Sequence, residues 1–346
     1  MSRTFLKRHS FLLIVLLLVS FITGCGSSNT NIQPKQSPDV EPVVLKLGHT
    51  NSPGQPCANA VETMAETVKE KTDGKVVFEI YVNGAIGDEE ELVESCMMGT
   101  VDMAFVSGAS LGGLVPEYLV IDLPFPFSTP EEAYEFYDGE VGDILLEKAE
   151  AQGLIGLSWL ENGFRNMTNN VRTIKTPYDM KGLKMRTMSS PVFVNMMNAL
   201  GASATPIPFG ELYTALEQGT VDGQENPVTN IYSAKFYEVQ KYITLTRHSY
   251  DPNILFMSEK SLEKLTEEQF DIIKEAALTA SKDSRAANNA GEEETLSLFE
   301  ENGLEVYRIS NEEHQLFVDA TKDVYKEFVD VVGAEFMDKY QKAIGR

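Results

Sequence analysis

The chain has 346 residues with 52 acidic and 29 basic side chains, and its formal net charge is −23 at pH 7. This charge argues against a nucleic-acid partner, because contacts to a phosphate backbone require clustered lysine and arginine. The length exceeds what one hydrophobic core usually serves, so the sequence predicts more than one lobe.

The N-terminus has the pattern of a secretion signal. Arg3, Lys7 and Arg8 precede an almost unbroken apolar stretch, residues 11–22. That stretch is shorter than the ~20 residues of a membrane-spanning helix, which favours a signal peptide over an uncleaved anchor. It ends in FITGC, which resembles a bacterial lipobox, and the resemblance implies that Cys25 is lipidated.

The sequence therefore predicts a lipoprotein signal peptide over residues 1–24. Residues 25–42 are rich in serine, asparagine, glutamine and proline and have no apolar periodicity, so we expect a flexible tether. The working part of the chain would then lie outside the cytoplasm, either in a periplasm or on an outer face. Lipid would hold it to the cell membrane.

The next segment alternates strands and helices. The predicted elements, in chain order, are a strand (43–50), a helix (55–72), a strand (76–82), a helix (88–98) and a strand (101–107). This alternation indicates βαβ units and a mainly parallel sheet. Cys57 and Cys96 lie on the two helices. We favour two buried free thiols, although an exported chain would also permit a disulfide.

A single arginine stands where a strand gives way to a helix. In LKMRTMSSP (183–191), apolar and basic residues alternate as in a strand that carries Arg186 near its end. Ser190 is a candidate N-cap, and Pro191 is a candidate first residue of a helix that extends to Gly201. Because an acidic protein that binds an anion must concentrate a few arginines in a pocket, Arg186 is a candidate ligand-binding residue.

Two segments of the chain repeat one another. ELVESCMMGTVDMAF (91–105) and ELYTALEQGTVDGQE (211–225) share Glu-Leu and Gly-Thr-Val-Asp at identical offsets. The repeat predicts two similar units, each with a helix closed by glycine and a strand that begins at the valine. Ligands of open α/β sheets bind outside the carboxyl ends of the strands, so two such lobes would enclose one cleft.

The C-terminal third has a helical pattern. It predicts a long helix over 266–302 with a kink or break at Gly291, a short strand (304–309) and another helix to the C-terminus. Helices of this length would span both lobes and influence how they move relative to each other.

These elements suggest where the lobes begin and end. We expect lobe I to comprise residues 43–162 and about 251–290, and lobe II to comprise about 163–250 and 291–318. A C-terminal helix would follow over about 319–346.

The segment 179–242 resembles the signature region of the solute-binding proteins of tripartite ATP-independent periplasmic (TRAP) transporters, the DctP-like family. Its stretches GLKMR, GTVDGQENP and KFYEVQKY are specific in combination, and the similarity extends from about residue 45 to 340. The resemblance implies an α/β, two-lobe fold like that of periplasmic binding proteins, with long C-terminal helices spanning the lobes. It also implies a receptor that closes over a small organic acid and delivers it to a membrane permease.

The resemblance also points to individual residues. In this family the arginine of KMR, here Arg186, pairs with the ligand carboxylate, and the arginine of GxR, here Arg165, lines the same pocket. Asn226 in GQENP and Phe209 in TPIPFGELY are carried over as ligand-binding residues. From the residues alone, Arg186 could pair with a surface carboxylate, Arg165 could join the lobes as an ion pair, and Asn226 could belong to a turn.

Three further candidates follow from position. His49 comes just after the first predicted strand, Ser107 ends the third, and Ser189 precedes the helix after Arg186. A purely structural role for His49 is an equal alternative. Sialic-acid receptors of this family carry a glutamate and an arginine after the third strand, whereas FVSGASL (105–111) is uncharged, so we do not expect sialic acid.

Other function classes have less support. The histidines after the signal lie far apart, and neither a G-x-S-x-G elbow nor a nucleophilic cysteine motif occurs, so we expect no enzyme and no catalytic residue. We also expect no cofactor and no metal site. A receptor of an ABC-type importer is an alternative. For the ligand, we favour a C4-dicarboxylate-like acid, with a hexuronate or another sugar acid next.

Overall fold

A nine-stranded sheet runs through the computed structural model, which describes residues 41–346. The strands are β1 (Val43–Gly48), β2 (Val76–Tyr81), β3 (Met103–Ser107), β4 (Leu154–Asn169), β5 (Lys184–Thr187), β6 (Ser203–Pro206), β7 (Gly223–Pro227), β8 (Tyr242–Ser258) and β9 (Glu305–Tyr307). The predicted signal peptide, Cys25 and the predicted tether up to residue 40 lie outside the described residues.

Helices connect these strands and form the C-terminal end of the chain. The α-helices of the described residues are α1 (Pro56–Lys71), α2 (Glu89–Met98), α3 (Pro130–Tyr137), α4 (Glu140–Glu150), α5 (Pro191–Ala199), α6 (Phe209–Glu217), α7 (Val228–Ser233), α8 (Glu267–Glu301), α9 (Asn311–Thr321), α10 (Val324–Glu327), α11 (Val329–Val332) and α12 (Ala334–Ala343). Short 3-10 helices lie at Gly108–Leu111, Pro116–Asp122, Pro177–Met180, Phe236–Glu238 and Glu259–Lys264.

The sheet consists of two similar halves around a central pair of strands. Its order is β2-β1-β3-β8-β4-β7-β5-β6, and β9 pairs with β8. In the first half, β1 lies parallel between β2 and β3; in the second half, β5 lies parallel between β6 and β7. The central strands β8 and β4 are antiparallel to each other and to their neighbours β3 and β7. The sheet is therefore mixed, and the prediction of a mainly parallel sheet was wrong at its centre.

The central strands are long, and the sequence analysis did not predict them. β4 has 16 residues and β8 has 17, and nearly all positions of both are buried. A strand covered on both faces shows no alternation of apolar and polar residues, which removes the usual signal. Their pairing is irregular near the middle, where Arg165 pairs with Ser249 but Met167 pairs with Thr244. Within this bulge, Arg247 has a φ of 47°.

The repeated segments adopt the same local structure. In each copy the glycine has a left-handed φ, 77° and 68°, at the end of the helix. The aspartates that follow, Asp102 and Asp222, each accept a hydrogen bond through Oδ2 from the backbone N–H of Lys46 and Lys184, both at 2.8 Å. The strands begin two residues after the valines, slightly later than predicted. The repeat therefore marks equivalent parts of the two halves.

Within residues 41–346, buried apolar side chains form four clusters. One surrounds Leu45 and α1, and another surrounds Leu92 and the C-terminal helices. The other two lie in the second half, around Met185 and around Leu212. Helix α8 contributes to the first and the last of these clusters, so it packs against both halves.

Both described cysteines are buried and free. Cys57 lies in the cluster around Leu45, whereas Cys96 lies in the cluster around Leu92. The prediction of two buried thiols is confirmed.

The C-terminal third departs from the prediction in two ways. Helix α8 runs for 35 residues without a break at Gly291. The single helix expected over 319–346 is instead divided among α9 to α12, and that prediction was wrong. Gly333, with a φ of 92°, separates α11 from α12, because an L-residue side chain disfavours that conformation and glycine does not. Among residues 41–346, no helix is both long enough and apolar enough to cross a bilayer.

Candidate functional site

Arg186 lies near the end of β5, just before the turn into α5. Ser190 is the N-cap of this helix, as predicted, and its Oγ accepts a hydrogen bond from the N–H of Val192 at 3.3 Å. Pro191 is the first helical residue, where its missing N–H costs no hydrogen bond. The helix ends at Ala199, two residues earlier than predicted.

The guanidinium of Arg186 is buried and has no counterion among the residues that the structure describes. The residue is 2% exposed, and its Nε donates to the carbonyl oxygen of Ile207 at 2.7 Å. Within the described part of the chain, Nη1 has no hydrogen-bond partner and Arg186 forms no ion pair. Burial lowers the pKa of Arg186 to about 10, so the group stays charged at neutral pH. A buried cation of this kind is costly unless an anion pairs with it.

Arg186 lines two cavities that share part of their walls. The larger has a volume of about 650 Å³ and lies at the N-terminal ends of α2, α5 and α6. The smaller has a volume of about 20 Å³ and reaches the central strands. The predicted ligand-binding residues that line one or both cavities are Arg186, Arg165, Asn226, Phe209, Ser107 and Ser189.

Arg165 lies on β4 and is neutralised by protein carboxylates. Its Nε and Nη2 both bind the carboxylate of Glu225, with Nη2 at 2.9 Å from Oε1, and its Nη1 pairs with Asp251. Nη2 also donates to Oδ1 of Asn226 at 3.3 Å. Glu225 belongs to the same predicted lobe as Arg165, whereas Asp251 belongs to the other. The two arginines therefore differ in the charge they have available for a ligand.

The pKa values show which group balances Arg165. Burial raises the pKa of Glu225, but Arg165 and the hydrogen bond to His248 outweigh burial and bring it down to about 2. Burial raises the pKa of Asp251 in spite of Arg165. Because Glu225 makes two contacts with the guanidinium, we regard Glu225 as the principal counterion.

Ser107 and Asn226 are also engaged within the protein. The hydroxyl of Ser107 donates to Oδ1 of Asp251 at 2.6 Å, and the amide nitrogen of Asn226 donates to Oε1 of Gln224. Both residues still line the smaller cavity, where Asn162 also donates to Asp251 at 2.9 Å. These hydrogen bonds hold the inner wall of the cavity in place.

His49 lines neither cavity. It is fully buried, and its imidazole stacks on the ring of Phe105 with centroids 4.4 Å apart. Burial lowers the pKa of His49 to about 4, so the ring is neutral at physiological pH. The structure thus places His49 beside Phe105, and its role in ligand binding stays a prediction.

The sequence analysis missed Glu89, which lines both cavities. Its carboxylate accepts hydrogen bonds from the hydroxyl of Ser110 at 2.6 Å, the N–H of Ser107 at 3.3 Å and the hydroxyl of Thr50 at 3.4 Å. Burial raises the pKa of Glu89 to about 7, and Ser110 opposes that shift. Glu89 is the first residue of α2 and follows the N-cap Asp88, so it was hidden within a helix-start pattern.

Another cavity lies away from these residues. It has a volume of about 760 Å³ and is formed by α3, α4 and α12, with an apolar floor that includes Phe127 and Phe136. Its lysines, Lys339 and Lys342, are paired with acidic neighbours, and no arginine of the described residues lines it. Residues 41–346 contain no group of three or more His, Cys, Asp or Glu side chains arranged to hold a metal ion.

A protein-family model matches most of the chain. The family model described as "Bacterial extracellular solute-binding protein, family 7", DctP, matches residues 47–330. The chain belongs to this family. This confirms the resemblance seen in the sequence, and the family is one of substrate-binding receptors, not of catalytic enzymes.

Relatives of this DctP-family chain are similar over nearly their whole length. The crystal structure of the sugar acid binding protein DctPAm from Advenella mimigardefordensis, in complex with galactonate, is 37% identical, covers 89% of this chain and 99% of its own, and has a TM-score of 0.86. A TRAP periplasmic solute binding protein from Sulfurospirillum deleyianum with bound succinate is 31% identical, covers 87% and 99%, and has a TM-score of 0.84. The C4-dicarboxylate-binding protein DctB of Bacillus subtilis is 30% identical over 322 residues, 93% of this chain and 92% of that protein. These similarities confirm the predicted fold class.

Proposed function

We propose that this chain is the extracytoplasmic receptor of a TRAP transporter and that Arg186 binds the carboxylate of a small organic acid. The observation that carries the proposal is the buried Arg186 guanidinium, which lines a cavity of about 650 Å³ and has no counterion among the described residues. The receptor would deliver the acid to the membrane permease of the transporter, without chemical change to the ligand.

The surroundings of Arg186 suit an anion. A planar guanidinium can donate two parallel hydrogen bonds to a carboxylate, which gives both orientation and affinity. The N-terminal ends of α5 and α6 also border this cavity, and α6 has no side-chain cap on its first N–H groups. Helix N-termini favour anions through these N–H groups and the helix dipole.

Closure would follow from contacts made by both halves. The lobe boundaries expected from the sequence, near residues 162 and 250, fall within β4 and β8, close to irregularities in their pairing. We propose that these strands flex there, so that a ligand docked on Arg186 draws the first half towards it. A ligand shifts such an equilibrium only through its differential contacts with the closed form.

The sequence favours two classes of ligand. A C4-dicarboxylate-like acid was favoured first, and relatives are named for C4-dicarboxylates. A hexuronate or another sugar acid came next, and a structural relative binds galactonate. Both classes share the carboxylate that Arg186 would hold. We also propose that Cys25 carries lipid and keeps the receptor at the membrane.

Titration calorimetry of the purified protein tests this function. A set of small carboxylic acids, first ranked by thermal shift, should contain at least one that binds at micromolar concentration. Arg186→Ala should weaken that binding at least 100-fold, because the buried cation is the main partner of the carboxylate.

The matched control is Arg172→Ala, which removes an exposed arginine from the same half and should leave the affinity unchanged. Unaltered thermal unfolding would show that Arg186→Ala is folded. Near-native affinity in Arg186→Ala would refute the assignment of this residue.

A further inference from the structure

The charges around the larger cavity are unevenly distributed. Among the described residues that line it, Arg186 is the only basic side chain. The acidic side chains on the wall formed by the start of α2 are Asp88, Glu89, Glu90, Glu91 and Glu94. Glu211 of α6 also lines the cavity, which therefore has one cationic position, at β5, and acidic side chains at α6 and, in larger number, at α2.

The second arginine does not alter this distribution. Arg165 lines the smaller cavity, but its guanidinium is occupied by the carboxylates of Glu225 and Asp251. A ligand with two carboxylates would have one basic side chain, Arg186, as a partner, and a second carboxylate directed towards α2 would lie among acidic groups. Like charges in a partly buried site repel strongly, so the geometry disfavours a dicarboxylate.

Glu89 provides what a hydroxylated ligand requires. The three donors from Ser110, Ser107 and Thr50 fix the orientation of its carboxylate, and they use only part of its acceptor capacity. The remaining acceptor positions can bind hydroxyl groups, which donate hydrogen bonds, but cannot bind an ionised carboxylate, which only accepts them. Selection against a carboxylate therefore belongs to the ionised form of Glu89, which predominates above its raised pKa.

The smaller cavity is lined by further neutral polar groups. Asn162, Asn230 and Thr50 contribute amides and a hydroxyl beside Glu89. Such groups can both donate and accept hydrogen bonds, as hydroxyl groups do, and they carry no charge that a second carboxylate could use.

We infer that the ligand is a polyhydroxylated monocarboxylate of the sugar-acid type, and that Glu89 selects it by binding hydroxyl groups on the α2 side of the cavity. The inference rests on the proposed function, since Arg186 must hold the single carboxylate. It reverses the order of the two ligand classes favoured from the sequence.

Calorimetry with matched ligands tests the selection. The ligands are three hydroxylated acids (galactonate, erythronate and glucuronate), the dicarboxylate succinate, and hexanoate, which has one carboxylate and no hydroxyl group. We expect the purified protein to bind the best of the hydroxylated acids at least tenfold more tightly than succinate or hexanoate.

Two substitutions of one residue separate hydrogen bonding from charge. Glu89→Ala removes the carboxylate acceptor and should weaken binding of the best hydroxylated acid at least tenfold. Glu89→Gln keeps an acceptor but removes the negative charge, so it should tighten succinate binding at least threefold. Glu66→Gln, on an exposed glutamate of α1, is the control and should change neither affinity. If Glu89→Ala fails to fold, Ser110→Ala should give a smaller loss of about threefold, because Ser110 positions the Glu89 carboxylate.

The outcomes distinguish this inference from the proposed function. Arg186-dependent binding of succinate that equals or exceeds the binding of every hydroxylated acid would overturn the inference alone. Unchanged affinity of folded Glu89→Ala for the best hydroxylated acid would do the same. If none of the five acids binds but another acid of the broader set binds through Arg186, the inference alone fails. If no acid of that set binds, both the proposed function and the inference fail.

Discussion

The first and second halves of the sheet share a backbone plan but differ at one equivalent position. The hydrogen bonds from Lys46 to Asp102 and from Lys184 to Asp222 fix the same register in both halves. Two residues after each lysine, the first half has Gly48 and the second half has Arg186. A Cβ atom on that glycine would lie 2.5 Å from Cδ2 of Leu92 in α2, so this leucine side chain occupies the space that a larger residue would need.

This difference explains how a repeated unit can form a site for one ligand. In the first half, the Leu92 side chain of α2 fills the space beside β1, and the carboxylates at the start of the same helix line the cavity. In the second half, the space beside β5 accommodates the guanidinium of Arg186. The repeat provides two similar scaffolds. The two sides of the cavity have opposite charges because Arg186 replaces Gly48 at the equivalent position and because α2 begins with carboxylates.

The largest expected effect concerns the two buried arginines. Arg165→Met should lower the free energy of unfolding by about 3–5 kcal/mol, because it leaves Glu225 and Asp251 buried without their partner. Arg186→Met should change the free energy of unfolding by less than about 1 kcal/mol, since it removes a buried cation that has no counterion among residues 41–346. Urea unfolding of both variants measures the difference. Equal losses would mean that Arg186 is as structural as Arg165.

A smaller effect is expected at the position that distinguishes the halves. Gly48→Ala should lower the free energy of unfolding by about 1–3 kcal/mol, because the new methyl group would overlap Leu92 and crowd Ile86. Gly291→Ala is the control: nothing lies within 4 Å of its added Cβ, and it lies within α8. Alanine at position 291 should raise the free energy of unfolding by about 0.5–1 kcal/mol. A neutral Gly48→Ala would show that α2 can move away, and that packing does not require the glycine.

The sequence was informative where one face of an element is polar. The bounds of α1 and α2 were predicted to within one residue, because buried and exposed positions alternate with helical spacing. The central strands gave no such signal because both of their faces are covered. The C-terminal helices were merged into one because their breaks depend on local conformation, such as the positive φ of Gly333, and not on apolar spacing.

Within the candidate site, the sequence pointed to residues with an unusual local context. Arg186 was found because a lone arginine precedes a serine and a proline that begin a helix. Glu89 was missed because Asp88 and Glu91 form a capping box, and a glutamate between them is typical of an exposed first turn. Its burial depends on Ser110 and the end of β3, which come close only in the folded chain.

The smallest expected effect is a pH dependence that differs between ligand classes. The pKa of Glu89 is about 7, with burial as the main cause. The second carboxylate of succinate would raise the pKa of Glu89 further in the complex. Succinate binding therefore takes up protons, and the affinity for succinate should rise about three- to tenfold from pH 8 to pH 6. Ligand hydroxyl groups that donate to ionised Glu89 lower its pKa instead, so sugar-acid affinity should stay level or fall over the same range. Glu89→Gln should flatten both profiles in calorimetry, because the amide does not titrate. If the affinities of succinate and the sugar acid change with pH in the same way, Glu89 does not contact the end of the ligand that lies away from Arg186.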